Sequence, residues 1–119
     1  MQIKGVDHVQ LAMPPGGEDK ARAFYHGILQ IAEIPKPPDM AQRGGCWFED
    51  SLVKIHLGVE MEFRPARKAH PGLLVADIDA LITALRIQHF EPRLGEPVNG
   101  RRRYFVDDPF GNRIELIDA

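Results

Sequence analysis

Hydrophobic and polar residues alternate along several short stretches of this chain, and each such stretch predicts a β-strand with one buried face. In residues 3–13, Val9 and Leu11 point to one side of the predicted strand, while His8 and Gln10 point to the other. The remaining predicted strands lie at residues 46–49, 52–59, 70–76, 102–106 and 113–117.

Two helices are predicted where apolar residues recur at spacings of three and four. The first covers residues 18–29, and Glu18 and Asp19 in its first turn interact favourably with the helix dipole. Asp77 is expected to cap the second helix. The apolar stripe of that helix contains Ile78, Leu81, Ile82 and Leu85.

Segments rich in proline, glycine or charge separate these elements. Residues 31–38 are predicted to be a strand fragment or irregular, because three prolines exclude a helix there. Residues 40–45 and 92–100 are predicted to be loops. The charged segment 60–69, which contains Pro65, is the best candidate for a boundary between two halves of the chain.

The two halves, residues 1–60 and 69–119, share the order strand, helix, and short strands around a turn. Aligning His8 with His70 places Leu11 on Leu73. Aligning the ends of the halves places residues 48–50 near residues 105–107, and residues 54–57 on residues 113–116, so that His56 falls on Glu115. We therefore expect a single α+β domain of two βαβββ repeats, with curved mixed sheets around a cleft.

Composition narrows the possible partners. A chain of 119 residues with a formal net charge of -2 suits one globular domain and argues against a nucleic acid partner. Cys46 is the single cysteine, so no intrachain disulfide can form, and we expect it to be a small buried hydrophobic residue. No apolar run approaches the roughly 20 residues of a membrane helix, and the N-terminus is too polar for a signal peptide. We predict a cytoplasmic protein.

Three segments carry a resemblance to a known family: DHVQL at residues 7–11, HPGLLVAD at 70–77 and DDPFGNRIEL at 107–116. The third is the most specific, since it combines an Asp-Pro-x-Gly-Asn turn with a following strand that contains Glu115. With these segments the chain resembles the vicinal oxygen chelate superfamily. That superfamily includes glyoxalase I, extradiol dioxygenases, fosfomycin-resistance enzymes and metal-free bleomycin-binding proteins.

The resemblance implies a divalent metal ion held by His8, His56, His70 and Glu115. Glyoxalase-like members commonly have a Glu where this chain has His56, whereas fosfomycin-resistance-like members use a set corresponding to His8, His70 and Glu115. Imidazole and carboxylate ligands suit Zn, Ni, Mn, Co or Fe(II) without choosing among them. Two His and one carboxylate leave open positions for a substrate.

The resemblance also implies a small oxygen-rich substrate that chelates the metal, in a lyase, isomerase or transferase reaction. His56 and Glu115 are the candidate catalytic residues, with His56 as the base if it is not a ligand. The candidate substrate-binding residues are Gln10, Trp47, Arg103, Phe105 and Arg113. A salt bridge near Glu115 is the alternative role for Arg113.

Two further expectations concern alternatives and assembly. The alternative function is a metal-free protein that binds an antibiotic or another small molecule, with Trp47, Phe48, Tyr104 and Phe105 stacking on it. A sequestering protein would have no need of the four repeat-related His and Glu side chains, which favours the enzyme. Small members of the superfamily usually dimerise, so a homodimer with sites built from both subunits is expected.

Overall fold

A computed structural model describes all residues, 1–119, and divides them into two compact units, Met1–Arg64 and Pro65–Ala119. The elements of the first unit are β1 (Val9–Met13), α1 (Glu18–Ala21) continuing as a π-helical segment (Arg22–Ile28), β2 (Glu33–Ile34), α2 (Pro38–Ala41), β3 (Cys46–Glu49) and β4 (Lys54–Val59). Those of the second are β5 (Gly72–Val75), α3 (Ile78–Ile87), β6 (Arg93–Leu94), β7 (Arg103–Asp107) and β8 (Arg113–Asp118). No helix is long and apolar enough to cross a membrane.

Each unit contains a four-stranded mixed sheet, and the two sheets have the same topology. Their strand orders are β1-β4-β3-β2 and β5-β8-β7-β6. In both, the first strand of the repeat pairs in parallel with the last, and the remaining pairs are antiparallel. The predicted fold, α+β with two βαβββ repeats, is confirmed.

The register of the parallel pairs confirms the predicted equivalence of the ligand-capable residues. Gln10 pairs with His56 in the first sheet, and Gly72 pairs with Glu115 in the second. His8 lies two residues before Gln10, and His70 lies two residues before Gly72. Since side chains alternate along a strand, His8 lies on the same sheet face as His56, and His70 lies on the same sheet face as Glu115.

The opposite face of each sheet forms the core with the helix of its unit. In the first unit Phe48, Ile55 and Leu57 are buried, together with Phe24 and Tyr25 from the π-helical segment. The Tyr25 ring stacks on the Phe48 ring, with 5.4 Å between the centroids. The buried core residues of the second unit include Ile78, Ile82, Leu85, Val106, Ile114 and Leu116.

The second helix begins as the sequence predicts. The Asp77 side chain accepts a hydrogen bond from the backbone N–H of Ala80 at 3.1 Å, which satisfies one of the unpaired donors of the first turn. Ile78, Ile82 and Leu85 of the predicted stripe are buried, whereas Leu81 is only half-buried.

Several predicted elements were wrong in their bounds or type. Residues 38–41 form a short helix that overlaps both the segment 31–38, predicted to be a strand fragment or irregular, and the predicted loop 40–45. Pro38 is compatible with this helix because it stands at the first position, where a helix needs no N–H donor. Residues 93–94 form a two-residue strand inside the predicted loop 92–100 and pair with β7. The first strand begins at Val9 rather than at residue 3.

The turn before β8 is held by a buried carboxylate. Asp108 accepts hydrogen bonds from the backbone N–H groups of Phe110 and Asn112, at 2.9 and 2.8 Å, and from the Asn112 side-chain amide at 3.0 Å. Gly111 has a positive φ of 92°, which a residue without a Cβ adopts at little cost. This turn sets the start of the strand that carries Glu115.

Candidate functional site

Three aromatic rings form a stack on the open face of the first sheet. The His56 ring lies between Trp47 and His8, with centroid distances of 4.1 and 4.3 Å. The interplanar angles are 5° to Trp47 and 18° to His8, so the three rings are nearly parallel. The register places Trp47 and Gln10 beside His56 on its two neighbouring strands, and His8 lies two residues before Gln10 on the same face.

A carboxylate contacts one nitrogen of each histidine in this stack. His56 Nε2 lies 2.6 Å from Glu49 Oε2, and His8 Nδ1 lies 2.9 Å from Asp7 Oδ2. An ionised carboxylate only accepts hydrogen bonds, so each of these contacts is a hydrogen bond when the histidine nitrogen carries the proton. The remaining nitrogens are Nδ1 of His56 and Nε2 of His8.

The carboxylate of Asp7 contacts both the His8 ring and the Lys54 ammonium group. The contact with Lys54 is 3.5 Å long. The hydrogen bond from His8, followed by the charge of Lys54, lowers the pKa of this carboxyl group. Asp7 is therefore ionised at neutral pH and orients the His8 ring.

The equivalent face of the second sheet carries an interconnected set of charged groups. Glu115 Oε1 lies 3.0 Å from His70 Nε2, and Glu115 Oε2 accepts a hydrogen bond from Arg103 Nη1 at 3.3 Å. The other nitrogen of His70, Nδ1, donates to the backbone carbonyl of Lys68 at 2.7 Å. Each oxygen of Glu115 thus contacts a separate side chain.

Phe105 supports two arginines beside this carboxylate. The guanidinium carbons of Arg103 and Arg113 lie 5.1 and 5.8 Å from the centre of the Phe105 ring, within the range of cation–π attraction. Arg103 also donates from Nε to the carbonyl of Glu96 at 2.7 Å. A Cβ at Gly95 would lie 2.9 Å from the Phe105 ring and 3.3 Å from Arg103, so this close approach requires glycine.

The family to which the chain belongs is decided by a match over nearly its whole length. The model of the Glyoxalase/Bleomycin resistance protein/Dioxygenase superfamily matches residues 5–116. The chain belongs to this superfamily. No curated protein is similar enough in sequence to match it.

Solved structures of glyoxalase-family proteins resemble the chain along its length. A glyoxalase family protein from Bacillus anthracis is 45% identical, with a TM-score of 0.93, over 99% of this chain and 97% of that one. The fosfomycin resistance protein FosX from Listeria monocytogenes, solved as a variant with Mn(II) and 1S,2S-dihydroxypropylphosphonic acid, is 18% identical, with a TM-score of 0.81 over 99% and 94% of the two chains. Lactoylglutathione lyase from Agrobacterium tumefaciens is 17% identical, with a TM-score of 0.69 over 98% and 96%.

The predicted ligands of this superfamily member fall into two pairs, one in each unit. His8 and His56 form the pair on the first sheet, and His70 and Glu115 form the pair on the second. No group of three or more His, Cys, Asp or Glu side chains is arranged to hold a metal ion.

The predicted substrate-binding residues differ in how freely they could meet a ligand. Gln10 is exposed and folds back over Gly58, where a Cβ would lie 2.5 Å from the Gln10 amide nitrogen. Trp47 has one face against His56, and Phe105 has both arginines near its ring. Arg103 rather than Arg113 forms the salt bridge to Glu115.

Two predicted ligand-stacking residues, Phe48 and Tyr104, were wrong, and Tyr104 pairs with the buried Leu116 on the core side of β7. Phe48 is fully buried and stacks on Tyr25 on the core face, away from the histidines. The register explains the error: Trp47 pairs with His56 as Phe105 pairs with Glu115, so Trp47 rather than Phe48 is equivalent to Phe105. A shift of one residue exchanges the two faces of a strand.

Asp7 and Glu49 are the contacts that the sequence analysis missed. Both carboxylates face a histidine, yet neither stands at a position that the repeat marks for a ligand. The signal for Glu49 was available, because Trp47 and Glu49 alternate with buried Cys46 and Phe48 and so share the face of His56. Cys46 is buried, as predicted. This burial, together with the smaller effect of the nearby Glu33 charge, raises the pKa of the Cys46 thiol to about 11.

Proposed function

We propose that this protein is a metal-dependent enzyme of glyoxalase type, a lyase, isomerase or transferase that acts on a small oxygen-rich substrate. His8, His70 and Glu115 are the proposed metal ligands. When bound, a divalent ion supplies Lewis-acid polarisation of the substrate oxygens that chelate it. The observation that carries the proposal is the pair of contacts that the two ring nitrogens of His70 make with a backbone carbonyl and with the Glu115 carboxylate.

The hydrogen bonds of His70 leave its second nitrogen in an unusual position. A backbone carbonyl only accepts hydrogen bonds, so the contact with Lys68 requires a proton on Nδ1. In the neutral ring, Nε2 then presents a lone pair to the Glu115 carboxylate at 3.0 Å. Two such acceptors attract each other only through a shared proton or another cation. A histidine held by a backbone carbonyl, with its other nitrogen beside a carboxylate, has the donor chemistry of a metal ligand pair.

His8 also has one ring nitrogen held by a hydrogen bond, in this case to a carboxylate. The ionised Asp7 carboxylate accepts a hydrogen bond from Nδ1–H, so Nε2 carries the available lone pair. An orienting carboxylate behind a metal-binding histidine fixes its tautomer and raises its basicity. His8 and His70 are thus both oriented for binding through Nε2.

His56 is the predicted ligand that we place outside the metal set. Its Nε2 contacts Glu49, and its ring is stacked on His8. A histidine binds a metal in the plane of its ring, and two nearly parallel planes about 4 Å apart do not meet within the roughly 2.1 Å of a metal–nitrogen bond. We propose that His56 is the general base, as its position beside His8 allows.

The remaining candidate residues give the substrate its orientation. Arg103 and Arg113 place two fixed positive charges beside Glu115, which favours a substrate with anionic or strongly polar oxygens. Gln10 offers an exposed amide on the face of His56, and Trp47 offers its outer face for contact with apolar parts. A small-molecule partner, a homodimer and a cytoplasmic location complete the proposal.

The metal-free binding protein is the weaker alternative. Of the aromatic residues that it would use, Phe48 lies in the core, and Phe105 lies against two arginines. A sequestering protein also gives no reason for the His70–Glu115 pair.

The test is Mn(II) binding, measured by electron paramagnetic resonance for the parent and four single variants. We expect His8→Ala, His70→Ala and Glu115→Gln to weaken binding on the order of 100-fold or more, because loss of a ligand costs more than loss of an orienting partner. His56→Ala is the matched control and should bind nearly as the parent does. Equal losses in all four variants would contradict the three-ligand set, and a parent that binds no Mn(II), Zn, Ni, Co or Fe(II) would overturn the proposed function.

A further inference from the structure

We infer that Glu49 is a positioning residue that holds His56 in one tautomer, with the proton on Nε2 and the lone pair on Nδ1. This inference rests on the proposed function for the role of the lone pair, which there accepts a proton from the substrate. The tautomer itself is a property of the metal-free chain.

The contact between the two side chains is short and shielded from water. Glu49 Oε2 lies 2.6 Å from His56 Nε2, and the exposed fractions of the side chains are 5% for His56 and 18% for Glu49. At this separation a proton must lie between the two atoms, and an ionised carboxylate brings none of its own. The proton therefore belongs to Nε2. Because water has little access, it competes weakly for either group.

The charge of Glu49 is not taken up by the lysine that stands opposite it. Lys54 is the ladder partner of Glu49, yet the Lys54 ammonium group forms its ion pair with Asp7. The backbone of Glu49 is fixed by a hydrogen bond from its N–H to the carbonyl of Ala32 at 2.9 Å. The carboxylate is thus held in place and directed at His56.

The stack and the carboxylate constrain the imidazole in complementary ways. Trp47 and His8 fix the plane of the ring from its two sides. Within that plane, Glu49 determines which nitrogen carries the proton. No hydrogen bond joins Nδ1 to another group, and no buried nitrogen or oxygen of a side chain lacks a partner, so Nδ1 keeps some contact with solvent.

The second repeat shows that this contact is not a general requirement of the fold. Asp107 occupies the position equivalent to Glu49, and Glu115 occupies that of His56. Asp107 forms its ion pair with Arg93, at 3.1 Å, rather than with the site residue. The Glu49–His56 pair is therefore a feature of the first repeat, at the position where this chain has an imidazole in place of a carboxylate.

The proton balance of the proposed role is simple. A proton leaves the substrate and binds to Nδ1 of His56, which gives an imidazolium ion with both nitrogens protonated. Glu49 keeps its negative charge and stabilises that cation, and the proton later returns from Nδ1 to the product.

The experiment is nitrogen-15 NMR of the imidazole groups in metal-free protein, at a pH well above the usual His pKa of about 6.5. The parent should show His56 with a protonated Nε2 and an unprotonated Nδ1. Glu49→Gln can accept from Nε2–H or donate to a bare Nε2, so both tautomers should be populated. Glu49→Asp, which keeps an acceptor-only group, should restore part of the parent pattern. Glu62→Gln, at an exposed carboxylate of the same unit, is the matched control and should match the parent.

A parent spectrum with the proton on Nδ1, or a Glu49→Gln spectrum identical to that of the parent, would overturn the inference. Mn(II) binding separates it from the proposed function. Glu49→Gln should weaken Mn(II) binding by less than the roughly 10-fold that loss of a ligand's orienting partner costs, and a larger loss would mean that Glu49 serves the metal set instead. A fixed tautomer in a parent that binds no metal overturns the proposed function and supports the positioning role of Glu49.

Discussion

Gly45→Ala, which adds a single methyl group, is expected to lower the free energy of unfolding strongly. Gly45 precedes β3, the strand that carries Trp47 and Glu49, and its φ is +84°. A Cβ at this position would lie 2.1 Å from the carbonyl oxygen of Leu57. Ordinary carbon–oxygen contacts are about 3.3 Å, so the backbone would have to move by more than about 1 Å.

The cost of Gly45→Ala follows from three contributions. The positive φ costs a non-glycine residue roughly 1–2 kcal/mol. Displacement of the Cys46–Leu57 ladder pair puts backbone hydrogen bonds at risk, at about 1 kcal/mol each. The bond from the Gly45 N–H to Glu18 Oε2, 2.8 Å long, would also be strained. Together these predict a loss of about 3–5 kcal/mol in the free energy of unfolding.

Gly16→Ala is the matched control for the backbone contribution alone. Its φ is +79°, and nothing lies within 4 Å of an added Cβ, so its expected loss is roughly 1 kcal/mol. Equilibrium unfolding in urea, followed by the fluorescence of the single tryptophan, measures both variants at equal protein concentration. With m-values of about 1–3 kcal/mol per molar urea, a difference of about 2–4 kcal/mol should separate the two midpoints by roughly 0.7–4 M. Equal losses in the two variants would refute the steric part of the reasoning.

Three further predictions concern the turn, the thiol and the aromatic stack. Asp108→Ala should lower the free energy of unfolding by about 2–4 kcal/mol, because it removes the buried carboxylate that accepts hydrogen bonds from the N–H groups of Phe110 and Asn112; a loss under about 0.5 kcal/mol in urea unfolding, typical of a surface substitution, would count against it. Cys46, whose pKa is raised to about 11, should remain a thiol at pH 8, so iodoacetamide should modify it slowly in the native protein and rapidly in urea; equal rates would contradict its burial. Trp47 fluorescence should be quenched by Ni(II) or Co(II) in the parent but not in His8→Ala, since the stack links Trp47 to His8 through one ring; quenching in both would disconnect the metal from His8.

Much of the fold could be predicted from the sequence because it depends on local pattern and on repetition. The alternation of Ile55 and Leu57 with Lys54 and His56 predicts which face of β4 packs in the hydrophobic core, and the same alternation recurs around Glu115. The repeat then carries this assignment from one half to the other. The sheet register confirms it.

The errors arose where neighbouring residues were alike or where a rule was applied too broadly. Trp47 and Phe48 are both aromatic, so the pattern alone does not decide which one faces His56, and the packing of Phe48 on Tyr25 decides it. Prolines are excluded from helix interiors but are well suited to the first position, which Pro38 occupies.

The part of the candidate site that could not be predicted consists of side-chain contacts between neighbouring strands. Glu49 meets His56 across the β3–β4 hairpin, and Arg103 meets Glu115 across the β7–β8 hairpin. The sequence marks these residues as charged and places them near the site. Which charges pair depends on side-chain directions, and composition does not contain that information.

We propose Glu115 as a ligand of the metal ion. The most direct test of this proposal is elemental analysis of protein purified without an affinity tag, for the parent and for Glu115→Ala. We expect one equivalent of a divalent metal per chain in the parent, either as purified or after addition of Zn, Mn, Ni, Co or Fe(II), and its loss in the variant. A parent that retains no metal under any of these conditions, or a variant that retains as much as the parent, would contradict it.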